Sequence, residues 1–227
     1  MEIVFILVEP AAPENIGAAA RAVKTMGFSQ FRLVNPGEYL SAPARWLAHG
    51  SNEILENASV FPSLEEAVND IDFVIGTTAK QRSVKNDYHH VSSLPQILKE
   101  KGTTVGKAGI VFGREDSGLR NEELKRCDMV TTIPLKTTYP SLNLAQAVMV
   151  YAWELSKLNL KETTGEEADK EEGLRILIEK AEAILLDIGF KKESAIYPRI
   201  LERMMLLKEG DIHLLHSVCN KITKSEK

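Results

Sequence analysis

Short runs of apolar residues recur along the N-terminal two thirds of this sequence, and stretches with helical character separate them. The runs are Ile3–Val8, Phe31–Val34, Asp72–Thr77, Ala108–Phe112 and Met129–Ile133. Apolar runs without polar alternation are typical of strands that are buried on both faces of a parallel sheet. Strands that alternate with helices indicate an α/β fold. We therefore predict an α/β domain with a mostly parallel sheet.

The character of the sequence changes after residue 160. Residues 161–172 carry six acidic and two basic side chains, which is typical of a solvated linker. Beyond them no strand pattern occurs, and apolar residues recur at the spacing of about three helices. We predict a domain over residues 1–160, an acidic linker over 161–172 and a small helical C-terminal extension over 173–227.

The bulk composition excludes several classes of protein. With 44% apolar residues and 26% charged residues, the sequence is typical of a globular domain, and its net charge of −4 argues against a non-specific nucleic-acid coat protein. No apolar run approaches the roughly 18 residues of a membrane span. The N-terminal run carries Glu2 in place of a basic segment, so it indicates a buried strand. Two distant cysteines indicate a reducing cytoplasm.

The stretch Ile133–Leu155 combines a strand end, a polar loop and a long apolar helix. Either Ser141 or Asn143 can cap this helix by accepting a hydrogen bond from a free backbone N–H. A helix that is apolar on most sides is expected to be buried on most sides. Its polar, positively polarised N-terminus is suited to hold a ligand. The alternative is a core helix with an ordinary cap.

Segments rich in polar residues or glycine follow four of the predicted strands. They are Pro10–Arg21, Thr77–Lys85, Gly113–Leu119 and Ile133–Asn143. In an open parallel sheet, ligands bind at the carboxyl ends of the strands, so we expect these segments to form one site. The Gly113–Gly118 stretch lacks the Lys-Ser/Thr of a phosphate loop, and the sequence has no GxGxxG. A nucleotide-binding α/β enzyme of another kind is therefore disfavoured.

Arg21 is the only charge in a run of small and apolar residues. A guanidinium there could grip a phosphate or a carboxylate with two hydrogen bonds. The alternative is an ion pair with Glu14 or Glu115 that serves packing. The histidines show no third ligand beside His213 and His216, so we predict no metal site.

Three segments together resemble one family. NIGAAARAVKTMGF, VFGREDSGLRNEE and IPLKTTYPSLNLAQAV are similar to the three signature motifs of the SpoU class of SPOUT RNA methyltransferases, and most similar to its TrmJ/LasT-like tRNA/rRNA methyltransferase subgroup. The resemblance covers residues 1–158, and the helical tail resembles the C-terminal extension of that subgroup. It implies a C-terminal trefoil knot, a homodimer and S-adenosylmethionine as cofactor.

The same resemblance implies the site residues. Cofactor contacts are expected from Thr77, Thr78, Ala79, Gly113, Ile133, Ser141, Leu142 and Asn143. The catalytic positions of the family match Asn15, Arg21, Glu115 and Asn143, with Ser141 assisting. RNA contacts are expected from Arg21, Lys80, Arg82, Lys85, Arg114, Arg120 and the tail.

The family commonly assigns the base to the position of Arg21. A guanidinium has a pKa above about 12, so we expect Arg21 to anchor an RNA phosphate and to stabilise the developing alkoxide. The sequence thus predicts a cytoplasmic, dimeric, S-adenosylmethionine-dependent RNA ribose 2′-O-methyltransferase that acts on tRNA. The alternatives are a catalytically silent RNA-binding member of the fold and methylation of rRNA.

Overall fold

The computed structural model describes residues 1–80, 87–136, 142–158, 173–207 and 209–225. The chain divides into two compact units. The larger unit consists of Glu2–Pro95 and Lys107–Leu160. The smaller unit includes Gln96–Gly106 and the helices after residue 172.

The larger unit contains a parallel sheet that confirms the predicted α/β class. Its strands are β1 (Glu2–Val8), β2 (Gln30–Val34), β3 (Ser59–Phe61), β4 (Phe73–Thr77), β5 (His89–His90), β6 (Lys107–Phe112) and β7 (Met129–Thr132). They lie in the order β3-β2-β1-β6-β4-β7-β5, and every neighbouring pair is parallel. The helices along this part of the chain are α1 (Pro13–Thr25), α2 (Ala42–Leu47), α3 (Asn52–Glu56), α4 (Leu64–Ala67), α5 (Leu94–Lys101), α6 (Asn121–Arg126) and α7 (Leu144–Ser156).

The strand order brings the ends of β1, β6, β4 and β7 side by side. Leu7 pairs with Phe112, and Thr77 pairs with Thr131, so these strands end at similar heights. The loops that follow them leave the sheet at one edge. The described residues of the four predicted site segments lie at this edge.

Helices α1 and α7 pack against each other beside the sheet. Phe5 and Phe112 stack in the core, and the ring of Phe112 meets the edge of Tyr151 on α7 with centroids 5.3 Å apart. A Cβ on Gly17 would collide with the carbonyl group of Ala44, so this glycine permits the close approach of α1 to α2.

Helix α1 begins at Pro13, because proline at the first helical position lacks only an N–H that needs no partner there. Asn121 is the first residue of α6, and Arg120 occupies the capping position. Strand β5 is only two residues long, and no apolar run marks its position in the sequence.

The smaller unit contains α8 (Gly173–Asp187), α9 (Ile196–Met204) and α10 (Glu209–Ser225). Helices α8 and α10 pack together, with Leu174, Leu177 and Ile212 buried. Nε2 of His216 lies 2.6 Å from the carbonyl oxygen of Gly173, so this histidine ties the two helices together. None of the helices in the described ranges is long and apolar enough to cross a membrane.

Candidate active site

A cavity of about 290 Å³ opens at the edge where β4, β6 and β7 end. It is lined by residues that follow these strands and by the start of α7. Among them are Thr77, Thr78, Ala79, Gly113, Ile133 and Leu142, which the sequence analysis assigned to the cofactor. Asn143 directly follows Leu142 but is not one of the residues that line the cavity. Its side chain forms hydrogen bonds with other residues instead. Ser141 lies outside the described residues.

Tyr151 closes the inner wall of the cavity beside Phe112. Its hydroxyl lies 2.8 Å from Oγ1 of Thr131, which in turn donates a 3.3 Å hydrogen bond to the carbonyl oxygen of Gly76. Burial raises the pKa of Tyr151 and outweighs the opposite effect of its hydrogen bond with Thr131. The phenol therefore remains a neutral link between α7 and the strands that carry the cavity loops.

The loop after β6 makes a tight turn from Gly113 to Gly118. The backbone N–H of Gly118 donates a 2.9 Å hydrogen bond to the carbonyl oxygen of Arg114, and the N–H of Arg114 donates one of 3.3 Å in return. A Cβ on Gly113 would collide with the backbone of Gly118 and Leu119. Gly118 has φ +68°, a conformation that glycine adopts without steric cost. The turn presents Glu115 at its tip.

Glu115 binds the beginning of α1 with both carboxylate oxygens. Oε2 accepts a 3.1 Å hydrogen bond from the N–H of Ala11, and Oε1 accepts bonds from the N–H of Ala12 and from Nδ2 of Asn15, at 3.2 and 3.0 Å. Burial raises the pKa of Glu115, but the hydrogen bonds from Asn15, Ala11 and Ala12 outweigh it and hold the pKa below its ordinary value. Glu115 is therefore a carboxylate at neutral pH.

Asn143 extends this network to α7. Its Nδ2 donates a 2.7 Å hydrogen bond to Oδ1 of Asn15, and its Oδ1 accepts bonds from the N–H groups of Ala145 and Gln146 at 2.9 and 3.4 Å. Asn143 is therefore the cap of α7, one of the two options that the sequence offered. Three of the predicted catalytic residues, Glu115, Asn15 and Asn143, form one chain of hydrogen bonds.

Arg21 stands apart from this chain. It lies six residues after Asn15 on α1, which is about 9 Å along a helix axis. Its side chain is exposed, and no hydrogen bond or ion pair joins it to any residue that the structure describes, so neither Glu14 nor Glu115 is its packing partner. An exposed guanidinium without an internal partner is available to a ligand.

The predicted RNA contacts fall into different environments. Lys80 and Arg120 are exposed, while Arg82 and Lys85 lie outside the described residues. The side chain of Arg120 makes one 3.5 Å ion pair with Glu9 and is 61% exposed. The side chain of Arg114 is only 10% exposed and makes ion pairs with both Glu9 and Glu123. This geometry argues against an RNA contact by Arg114, because its guanidinium is already paired.

Glu9 and Glu123 were not among the predicted site residues. Glu9 directly follows the buried strand β1, at the same edge as the other site segments, and this position was the available signal. Glu123 lies in the first turn of α6, where an acidic residue is common for reasons of helix stability alone. Within the described ranges, no three His, Cys, Asp or Glu side chains are grouped so that they could hold a metal ion.

Comparison with curated proteins gave clear relatives. The uncharacterized tRNA/rRNA methyltransferase LasT of Escherichia coli strain K12 is 42% identical over 225 residues, which cover 99% of each chain. The tRNA (cytidine/uridine-2′-O-)-methyltransferase TrmJ of Salmonella typhimurium is 35% identical, over 84% of this chain and 81% of that protein.

Comparison with solved structures also found methyltransferases. TrmJ from Z. mobilis ZM4 has a TM-score of 0.66 at 31% identity and covers 98% of this chain and 100% of its own. The SpoU methyltransferase AviRb from Streptomyces viridochromogenes, solved in complex with AdoMet, has a TM-score of 0.55 over 69% of this chain and 60% of its own. At 18% identity this second likeness is one of fold.

Two family descriptions cover most of the sequence. Residues 171–225 match the C-terminal domain of the tRNA/rRNA methyltransferase LasT. Residues 2–153 match the SpoU rRNA methylase family along almost the whole of the larger unit. The chain belongs to the SpoU rRNA methylase family.

Proposed function

We propose that this protein is an S-adenosylmethionine-dependent RNA methyltransferase that methylates a ribose 2′-hydroxyl of tRNA. The observation that carries the proposal is the position of one cavity beside the linked side chains of Asn15, Glu115 and Asn143. Membership of a methylase family supports the reaction type, and the activity named for the Salmonella TrmJ relative supports tRNA and the ribose 2′-oxygen.

The lining of the cavity suits S-adenosylmethionine. Ile133, Leu135 and Leu142 offer an apolar surface for the adenine ring, and the Thr77–Ala79 segment offers polar groups beside it. The carboxylates of Glu115 and Asp116 also line the cavity, and they favour a cation there. The bound cofactor supplies a methyl group on a positively charged sulfur. We assign the cofactor to the residues that the sequence selected, with Ser141 and Asn143 retained as part of that assignment.

Side chains beside the cavity bind the RNA around the ribose oxygen that accepts the methyl group. Asn143 and Asn15 are uncharged, so they can fix hydrogen-bonding groups of the RNA without competing with the carboxylates for a cation. Arg21, exposed and unpaired among the described residues, anchors a phosphate and stabilises the negative charge that develops on the ribose oxygen. Phosphate or water takes the proton, because a guanidinium is a poor acceptor.

The basic side chains around the site supply RNA affinity. We assign this role to Arg21, Lys80, Arg82, Lys85 and Arg120, and we leave Arg114 out because carboxylates already surround it. Phosphate contacts release counterions, so RNA binding is expected to weaken as the salt concentration rises.

The protein acts as a homodimer in this proposal, through the exposed face of α7 and the neighbouring α1. Met149 and Trp153 lie four residues apart on that face and are 37% and 57% exposed, although both are large apolar side chains. A second copy of the chain would cover them. We also propose the trefoil knot that the resemblance implies, and a cytoplasmic location in keeping with two distant free cysteines.

The proposal is tested with unmodified tRNA and rRNA transcripts and with S-adenosylmethionine that carries a labelled methyl group. The wild-type protein should label tRNA, and Arg21→Ala should lose the label while keeping the cofactor affinity. If only rRNA is labelled, the substrate is rRNA and not tRNA. If the wild-type protein does not bind the cofactor, the proposed enzymatic activity is contradicted. A catalytically silent RNA-binding protein would then be favoured.

A further inference from the structure

Arg114 lies between two carboxylates that come from different parts of the chain. Its Nε donates a 2.7 Å hydrogen bond to Oε2 of Glu9, and its Nη2 lies 2.6 Å from Oε1 of the same residue. On the other side, Nη1 and Nη2 donate to the two oxygens of Glu123 at 3.0 and 2.9 Å. We call these three residues the Glu9–Arg114–Glu123 clamp.

The sheet itself explains why the clamp forms. Leu7 and Phe112 are paired in register on β1 and β6, and Glu9 and Arg114 each lie two residues beyond that pair. Both side chains therefore leave the sheet at the same place. Glu9 adopts φ +46°, which is uncommon for a residue other than glycine and is typical of positions that the surrounding structure holds in place.

The clamp fixes the turn that carries Glu115. Nη1 of Arg114 also donates a 3.3 Å hydrogen bond to the carbonyl oxygen of Gly118, at the far end of the turn. The next residue, Glu115, binds the N–H groups of Ala11 and Ala12, which follow Glu9 closely. Two adjacent residues of one turn thus hold the β1–α1 connection at two points.

We infer that Arg114 is a positioning residue for the Glu115–Asn15–Asn143 network, acting through its ion pairs with Glu9 and Glu123. This inference rests on the proposed function. The Arg114 side chain is 10% exposed, and Glu9 and Glu123 occupy its guanidinium nitrogens, so it offers little attraction to an RNA phosphate. Arg120 also lies 3.5 Å from Glu9, but its side chain is 61% exposed. The contribution of Arg114 to methyl transfer is the placement of Glu115.

Arg114→Lys separates placement from RNA contact. Lysine keeps the charge and can bind a phosphate, but it cannot bridge two carboxylates with the paired geometry of a guanidinium. A displaced catalytic group can cost up to about 100-fold, so kcat for tRNA methylation should fall by about 10- to 100-fold while KM for tRNA changes little. Arg126→Lys is the matched control, because Arg126 pairs with Glu65 on the surface, outside the site, and kcat should be retained.

The salt dependence of tRNA binding gives a second readout, measured with Arg114→Gln. Each phosphate contact contributes about 0.7 to 0.9 to the slope of log affinity against log salt concentration. Arg114→Gln should leave this slope unchanged. A slope reduced by about one contact, or full retention of kcat in Arg114→Lys, would overturn the inference.

Glu9→Gln decides the outcome if an Arg114 variant does not fold. Its amide keeps one acceptor for Arg114 and leaves the pair with Glu123 intact, so the thermal midpoint should change little. Its NH2 group, however, faces the second donor of Arg114 and breaks the paired contact, so kcat should fall at least about threefold. An unchanged kcat in Glu9→Gln would refute the clamp. The proposed function fails by a different result, namely the absence of methyl transfer by the wild-type protein.

Discussion

The side-chain amide of Asn143 donates a 2.7 Å hydrogen bond to the side-chain oxygen of Asn15, although 128 residues separate the two positions. The bond joins the N-terminus of α7 to the first turn of α1. Because Asn15 also donates to Glu115, it connects the loop after β6 to both helices. The side-chain amide of Asn143 therefore has two functions. It caps α7, and it belongs to the hydrogen-bond network of the site.

The two functions of Asn143 can be separated by substitution. Asn143→Asp keeps an oxygen that accepts hydrogen bonds from the N–H groups of Ala145 and Gln146. Its second carboxylate oxygen cannot donate the hydrogen bond that Asn15 now receives from Nδ2 of Asn143. Its free energy of unfolding should stay near that of the wild type, while methyl transfer falls by about 100-fold. Asn143→Ala should lose the cap as well, at a cost of about 1 kcal/mol. Equal destabilisation by both substitutions, with activity intact in Asn143→Asp, would contradict the assignment.

The stability contributed by Glu115 should depend on pH. Burial opposes ionisation, but the hydrogen bonds from Asn15, Ala11 and Ala12 hold the folded-state pKa below the unfolded value. The carboxylate therefore stabilises the folded chain above the unfolded pKa of about 4.3, and this stabilisation is lost as the pH falls through the lower folded value.

Urea unfolding of the wild type and of Glu115→Gln tests this pH dependence. The wild type should be more stable at pH 7, and the difference should shrink as the pH falls below 4. The control is Glu14→Gln, which removes an exposed carboxylate without a partner among the described residues. A difference between wild type and Glu115→Gln that grows as the pH is lowered would have the wrong sign.

The buried pair of Tyr151 and Thr131 should show coupled effects on stability. Tyr151→Phe and Thr131→Val each remove one hydroxyl and leave the other without its 2.8 Å partner, which should cost about 1–2 kcal/mol in each case. The double variant has neither hydroxyl, so its loss should be smaller than the sum of the two single losses. Additive losses in urea unfolding would show that the two hydroxyls are independent.

Gly113 should not tolerate a side chain. Its Cβ would collide with the backbone of Gly118 and Leu119, so Gly113→Ala should lower the free energy of unfolding by about 1–3 kcal/mol and weaken cofactor binding. Gly210→Ala is the control, because a Cβ there meets no atom within 4 Å. Calorimetric titration with S-adenosylmethionine that gives the same affinity for Gly113→Ala as for wild type would argue against this part of the site.

Much of the fold follows from local patterns. Buried strands such as β1 and β6 are apolar after their first residues, Glu2 and Lys107, which is why their positions and their parallel pairing could be predicted. The order of the strands could not be predicted in the same way. The placement of β6 between β1 and β4 depends on tertiary packing of distant segments and leaves no periodic signal in the sequence.

The sequence predicted which residues belong to the site better than it predicted the hydrogen bonds between them. Motif resemblance selected Asn15, Glu115 and Asn143, but no local pattern indicated that they bind one another across the fold. Arg114 shows the opposite problem. A basic residue in a polar loop was interpreted as an RNA contact, because the two carboxylates that surround it lie far away in sequence or on another element.

The chemical position of the transferred methyl group tests the central claim most directly. tRNA labelled by the wild-type protein would be digested to nucleosides, and the modified nucleoside would be identified by mass spectrometry. The account predicts a 2′-O-methylated nucleoside, absent from the same tRNA after incubation with Asn143→Asp. A methyl group on a base, or no methylated nucleoside with the wild-type protein, would contradict it.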